Sequence, residues 1–149
     1  MTETLTAQDI SRGVLRMLAT QGYRGVTELP LTNNRRCDIA ALGPRGEVVI
    51  VEIKSSRNDF QSDTKWPEYV DHCERFFFAV APDFPVELLP IEQGLIISDG
   101  YSADIIRDVE PRKLAPARRK SITLRIARTA AHRLHAELDP AFDQSKSPI

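Results

Sequence analysis

Arg36-Cys37-Asp38-Ile39-Ala40-Ala41-Leu42, then Gly43-Pro44-Arg45-Gly46, then Glu47-Val48-Val49-Ile50-Val51-Glu52-Ile53-Lys54 reads as two strands joined by a turn. Val and Ile favour a pleated, half-buried surface, and Gly-Pro-Arg-Gly supplies turn chemistry. Side chains alternate along a strand, so Glu52 and Lys54 share one face while Val49, Val51 and Ile53 take the other. A carboxylate and an ammonium in such an apolar strand need a reason to be there. The turn sets the register. An odd loop centred on Arg45 puts Asp38 opposite Glu52, with Cβ atoms about 4.5–5.5 Å apart. A two- or four-residue loop puts Val51 there instead.

Two carboxylates at that spacing repel unless a cation lies between them or one holds a proton. Mg²⁺ is held by one or two carboxylates and keeps several waters. Lys54 stands about 6–7 Å along the strand from Glu52, within reach of a phosphate. A divalent ion acidifies a water it holds, and the ammonium offsets charge on a transferring phosphoryl group. Two acids, an ion and a lysine on one strand face therefore read as phosphodiester hydrolysis. Glu28 joins the acids if the turn at Asn33-Asn34 is odd and centred on Asn33, which sets Glu28 across from Asp38. A two-residue turn there does not.

Outward from this hairpin, Ile10, Val14, Met17 and Leu18 recur at helical spacing, with Thr6 or Asp9 as cap and Gly22 as stop. A first strand is expected over residues 25–31. After Lys54 a turn or short helix is expected over about 58–63, and a helix over about 66–73 starting at Pro67. Residues 76–81, with Phe76-Phe77-Phe78, suit a strand buried on both faces. Two further strands flank Asp99-Gly100, a pair favoured in two-residue hairpins. A helix over about 117–138 carries Ile122, Ile126, Ala130, Leu134 and Leu138 as a stripe. The fold class expected is α/β or α+β: one mixed sheet with helices on its faces.

The 149 residues fit one domain, with a core over 1–110, a basic C-terminal helix over 111–138 packed on it, and a flexible tail over 139–149. The apolar fraction of 42% and charged fraction of 28% argue against global disorder. No apolar run approaches a membrane span, and the first residues lack the pattern of a secretory signal. Cys37 and Cys73 form no CxxC, which removes support for a disulfide framework or thiolate zinc site. A reducing cytoplasm is the expected compartment. The net charge of −1 hides an asymmetry: residues 1–110 carry −7, whereas residues 111–136 hold eight Lys/Arg and no acid. A segment that gathers positive charge in this way suits a polyanion partner, or else a solvated face that docks on the acidic body.

Asp38…Glu52-Ile53-Lys54 on a hairpin after a helix resembles the PD-(D/E)xK nuclease superfamily. More narrowly, Arg35-Arg36-Cys37-Asp38-Ile39, Val51 to Ser56, Asp59-Phe60, Asp63, Lys65-Trp66, Tyr69, Cys73 and Phe76 to Val80 resemble the MmcB-like bacterial DNA repair proteins. The resemblance spans most of residues 6–110. It implies a restriction-endonuclease-like core, Mg²⁺ or Mn²⁺ as cofactor, and DNA as substrate in a repair setting. Asp38 and Glu52 match the metal carboxylates, Lys54 the catalytic lysine, the Ile53 carbonyl a further ligand, and Glu28 a variable acidic position. Cys37 departs from the nominal proline.

For DNA contact the candidates are Arg35 and Arg36, Lys65, Tyr69, and Arg118, Arg119, Lys120 and Arg125 of the basic helix. Trp66 and Tyr69 either stack on an unpaired base or pack their helix onto the sheet, with packing favoured for Trp66. Arg35 and Arg36 either grip a backbone or solubilise a turn. His132 and His135 lie three apart on the helix and read first as surface histidines. A chain this small that cuts both strands of a duplex would act as a homodimer or with a repair-protein partner. The same fold without cutting would be a binding module for a DNA structure or a repair partner.

Overall fold

A computed structural model describes residues 4–149. The elements run α1 (Ala7–Thr20), β1 (Arg24–Pro30), β2 (Arg36–Leu42), β3 (Val48–Lys54), α2 (Arg57–Ser62), α3 (Pro67–Val70), β4 (Arg75–Val80), β5 (Gly94–Ser98), β6 (Ala103–Arg107) and α4 (Pro116–Leu138). The strands form a single six-stranded sheet in sequence order. β1, β2 and β3 pair antiparallel, β3, β4 and β5 parallel, and β6 antiparallel. This is the mixed α+β sheet expected.

α1 starts with a reciprocal cap: Thr6 Oγ1 accepts from the Asp9 N–H at 3.1 Å, and Asp9 accepts from the Thr6 N–H at 3.0 Å. Its stop is Gly22, at φ +87°. Ile10, Val14, Met17 and Leu18 are buried against Ile39, Val49, Val51, Ile53 and Phe77. The opposite face packs Ile50, Phe76, Phe78 and Val80 against α3 and against Ile122 and Ile126 of α4. All seven β3 positions are buried, as befits the middle of a sheet covered on both sides.

Both registers follow from three-residue loops closed by a left-handed residue. In residues 43–47 the Gly46 N–H donates to Gly43 O at 3.0 Å, with Gly46 at φ +84°. In residues 31–35 the Asn34 N–H donates to Leu31 O at 3.2 Å, with Asn34 at φ +63°. Such loops are odd. The ladder accordingly pairs Ile39 with Val51 and Thr27 with Ile39, which carries Asp38 to Glu52 and Glu28 to Asp38.

Three expectations change. Residues 99–102 form a four-residue loop in place of a two-residue hairpin, because Asp99 Oδ1 accepts from the Tyr101 and Ser102 N–H groups. α3 is one turn long. Of the α4 stripe only Ile122 and Ile126 are buried, with Thr129 beside them; Leu134 and Leu138 are exposed. Arg118, Arg119, Arg125 and Arg133 of α4 reach the body, whereas Arg128 donates to Pro148 O of the tail at 2.8 Å. Arg125 donates to Pro30 O at 3.2 Å, and Arg133 to Thr27 O at 2.7 Å and Glu28 O at 3.2 Å, so they cover carbonyls of the edge strand β1. Within residues 139–149, Phe142 stacks on His135 at 3.9 Å. No helix of the described residues is long and apolar enough to cross a membrane.

Candidate active site

At the C-terminal end of β3 the backbone ladder to β2 stops and side chains take over. The Asp38 N–H donates to Glu52 Oε1 at 2.9 Å, and the Ile53 N–H donates to Asp38 Oδ2 at 2.8 Å. Each carboxylate thus uses one oxygen to fix the other's strand, and its second oxygen takes no hydrogen bond from the described residues. The two carboxyls face each other closely enough to perturb one another's ionisation. Glu52 is 5% exposed. Burial, then the Asp38 charge, push its carboxyl well above the usual range. Burial also raises Asp38, against the Ile53 N–H and the Lys54 charge. A buried pair of acids holding its pKa values high is short of positive charge, and either a proton or a cation supplies it.

Lys54, 4% exposed, lies on the same face. Its Nζ sits 2.5 Å from Asp63 Oδ2 and 3.9 Å from Asp59 Oδ1. Burial would raise Asp63, but the Lys54 and Lys65 hydrogen bonds and the Lys54 charge outweigh it and lower it. These two counter-ions arrive because Ser56 caps α2, its Oγ accepting from the Asp59 N–H at 3.0 Å, and turns the chain back over β3. A capping reading of Ser56-x-x-Asp59 would have found this turn; the partnership with Lys54 has no local signal. Around these groups opens a cleft of about 520 Å³, lined by Arg36, Asp38, Glu52, Ile53, Lys54, Asp59, Asp63, Lys65 and Tyr69 among others. Four acids and three cations line it, so the lining turns negative only when the Asp38–Glu52 pair gives up its proton.

Glu28 stands beside the pair with its backbone at φ +54°, where a side-chain-bearing residue is strained. This interrupts β1–β2 pairing between Thr27 and Leu29. Its carboxylate turns to Arg36 Nε at 2.7 Å. It adds charge near Asp38 without completing a ligand set, and among the described residues no cluster of three His, Cys, Asp or Glu side chains is poised for a metal. The donors that fit a hard divalent ion are therefore the free oxygens of Asp38 and Glu52, with the Ile53 carbonyl on the same strand. An ion of the Mg²⁺ type takes the rest of its shell from water.

The remaining candidates spread over three settings. Arg35 pairs with Glu68 at 2.6 Å. Lys65 is exposed at the cleft. Tyr69 is buried, its hydroxyl donating to Arg36 O at 3.1 Å, so its ring packs the core and offers no face to a base. Burial and the nearby Glu52, Asp63 and Asp38 charges push its hydroxyl up to about 12. Trp66 packs against Phe76 and Phe78, with ring centroids at 6.0 and 5.2 Å. Arg118 donates to Asp71 O at 3.1 Å, Arg119 pairs with Glu74, and Arg125 reaches Pro30, while Lys120 is exposed. The arginines of the basic helix are thus docking groups in this structure. Cys37 and Cys73 are buried thiols. Burial raises Cys37, and Glu52 and Asp38 raise it further.

Residues 2–141 match the family described as DNA repair protein MmcB-like. A solved structure of a protein of unknown function from Silicibacter pomeroyi is 44% identical to the chain. It superposes with a TM-score of 0.90, over 97% of this chain and 100% of that one. No curated protein matches.

Proposed function

The chain belongs to the MmcB-like family of DNA repair proteins, and from that premise we propose that it is a metal-dependent nuclease that hydrolyses phosphodiester bonds in DNA during repair. The observation that carries this reading is the Asp38–Glu52 pair: buried, cross-braced through Ile53 and Asp38 backbone N–H groups, and deficient in positive charge at the floor of an open cleft. The sheet is compatible with a restriction-endonuclease-like core.

Asp38 and Glu52 would hold Mg²⁺ or Mn²⁺, with the Ile53 carbonyl as a further donor. The ion, when bound, supplies Lewis acidity and an acidified water at neutral pH. The chain itself does the positioning. The Ile53 N–H and Asp38 N–H keep the two carboxylates converged, so no reorganisation is needed when substrate arrives. Lys54 has three N–H donors. Asp63 takes one, and another is left for a non-bridging phosphate oxygen as charge grows there. Asp63 holds the ammonium in place. Lys65 and Arg36, at the rim, meet flanking phosphates. The water oxygen forms the new bond to phosphorus and gives one proton to solvent as the ester P–O bond breaks, and the leaving oxygen takes one proton from solvent.

Cleavage of nicked, branched, flap and single-stranded DNA with Mg²⁺ tests the reading. Wild type cuts at least one substrate, and Asp38→Ala lowers the rate by at least about 100-fold with DNA binding retained. Absence of cutting by wild type on all four substrates overturns it.

A second reading, a non-cleaving module that binds a DNA structure or a repair partner, draws on one observation. Lys54 is already engaged by Asp63, and Glu28 by Arg36. On that reading the cations serve the fold, and Asp38→Ala leaves DNA binding and every other activity unchanged.

A further inference from the structure

The loop 99–102 presents a tyrosine in an unusual way. Tyr101 is 74% exposed, yet its surroundings are fixed. Arg12 Nε donates to Gly100 O at 2.9 Å, and Arg16 Nη1 donates to Tyr101 O at 3.1 Å. The Arg16 guanidinium lies 4.7 Å from the Tyr101 ring centroid, a cation–π contact that covers one face. Ser98 Oγ donates to Ile10 O at 3.0 Å, tying the foot of the loop to the same helix. Gly100, at φ +89°, makes the turn, and a Cβ there would press on Leu5 and Asp9. A large aromatic held rigid with one face backed by a cation and the rest in water is a preformed stacking surface.

Its position ties it to the site above. β3 and β5 are parallel, so the loop after β5 emerges at the end of the sheet where Glu52 and Lys54 lie. β5 is two strands from β3, about 10 Å across. Arg12 joins the two places: it touches Gly100 and also lines a second cleft, of about 470 Å³, whose wall includes Asp38 and Ile53. Arg12 and Arg16 are a helical turn apart on the outer side of α1, suitably placed for backbone phosphates.

We infer that Tyr101, backed by Arg16, is a base-stacking platform for an unpaired nucleotide, and that a single strand runs from it over Arg12 to the Asp38–Glu52 cleft. The inference rests on the nuclease reading for the purpose of that path, and it narrows the substrate class to DNA carrying single-stranded nucleotides. A base inside a duplex has both faces covered by its neighbours and only the end pairs expose one, so duplex DNA gains little from Tyr101.

Fluorescence anisotropy in EDTA, with a labelled single-stranded oligonucleotide and a blunt duplex of the same sequence, tests this without any cleavage. Tyr101→Ala weakens single-strand binding by about 5- to 100-fold and leaves duplex binding unchanged, while Tyr101→Phe binds as wild type. Unchanged single-strand binding by Tyr101→Ala overturns the platform. So does an equal loss on both probes, or a wild type that binds neither. Circular dichroism melting confirms that the exposed substitution leaves the fold intact. Failure of cleavage by wild type would contradict the nuclease reading and leave this binding result standing, so the two fail separately.

Discussion

Glu52 and Glu74 are the two buried glutamates among the described residues, 5% and 6% exposed, at opposite ends of β3. Their surroundings differ in a way that separates a group that holds the fold from a group free to react. Both Glu74 oxygens are committed: Oε2 accepts from the Val48 N–H at 2.6 Å, and Oε1 pairs with Arg119 of α4. Its own N–H and carbonyl bond Val48 and Arg112. Glu52 accepts one N–H, faces a second acid and keeps an oxygen open to the cleft. Burial alone does not mark a functional acid. On the proposed function, what distinguishes Glu52 is an ionisation held back by burial and by Asp38.

The largest expected effect breaks this comparison on the reactive side. Glu52→Gln keeps the shape and the hydrogen bond from Asp38 but removes the charge, and Mg²⁺-dependent cleavage falls by at least about 100-fold. Glu74→Gln leaves the cleavage rate within about twofold, measured on the same substrate in the same assay.

On the structural side the order reverses. Glu74→Ala leaves the Val48 N–H without its partner and strands Arg119, and stability to urea falls by about 1–3 kcal/mol. The upper figure for a broken buried pair does not apply, because Arg119 is 41% exposed and water screens it. Glu52→Gln lowers stability by less, and raises it above neutral pH.

That sign follows from the raised Asp38–Glu52 pair. In the unfolded chain both acids ionise in the ordinary range. In the folded metal-free protein the pair still holds a proton above it. The folded state therefore binds more protons, and the stability contributed by the pair declines as pH rises from the ordinary glutamate range through the raised value. Urea denaturation of the metal-free protein at a series of pH values shows this slope, and Glu52→Gln flattens it. Added Mg²⁺ releases protons, and isothermal titration calorimetry in buffers of different ionisation enthalpy counts them.

The smallest effect sharpens the reading of α4. Leu138→Ala, at 74% exposure, changes stability by no more than about 0.5 kcal/mol.

The parts that could be read in advance share one property: their determinants are local. Gly46 and Asn34 close odd loops, and odd loops carry Asp38 to Glu52 across the hairpin. Thr6-x-x-Asp9 starts α1, and strand alternation puts Glu52 and Lys54 on one face. What resisted reading is set by tertiary contact. Arg125 and Arg133 of a helix that looks built for a polyanion are turned inward by carbonyls of β1, roughly a hundred residues earlier in the chain. Glu28 has the right register, but its left-handed backbone and Arg36 draw its carboxylate aside. Lys54 finds Asp63 only because a short helix folds back over the strand. The Asp99 side chain lengthens a loop that its sequence pair assigns to a tight turn.

The decisive measurement is a crystal structure of the protein grown or soaked with Mn²⁺, with anomalous scattering recorded at the manganese edge. The account predicts one strong anomalous peak bridging the free oxygens of Asp38 and Glu52 at coordination distances, lost in Asp38→Ala. A Mn²⁺-saturated crystal with no peak between those two carboxylates, or with the two side chains still sharing a proton there, would contradict it.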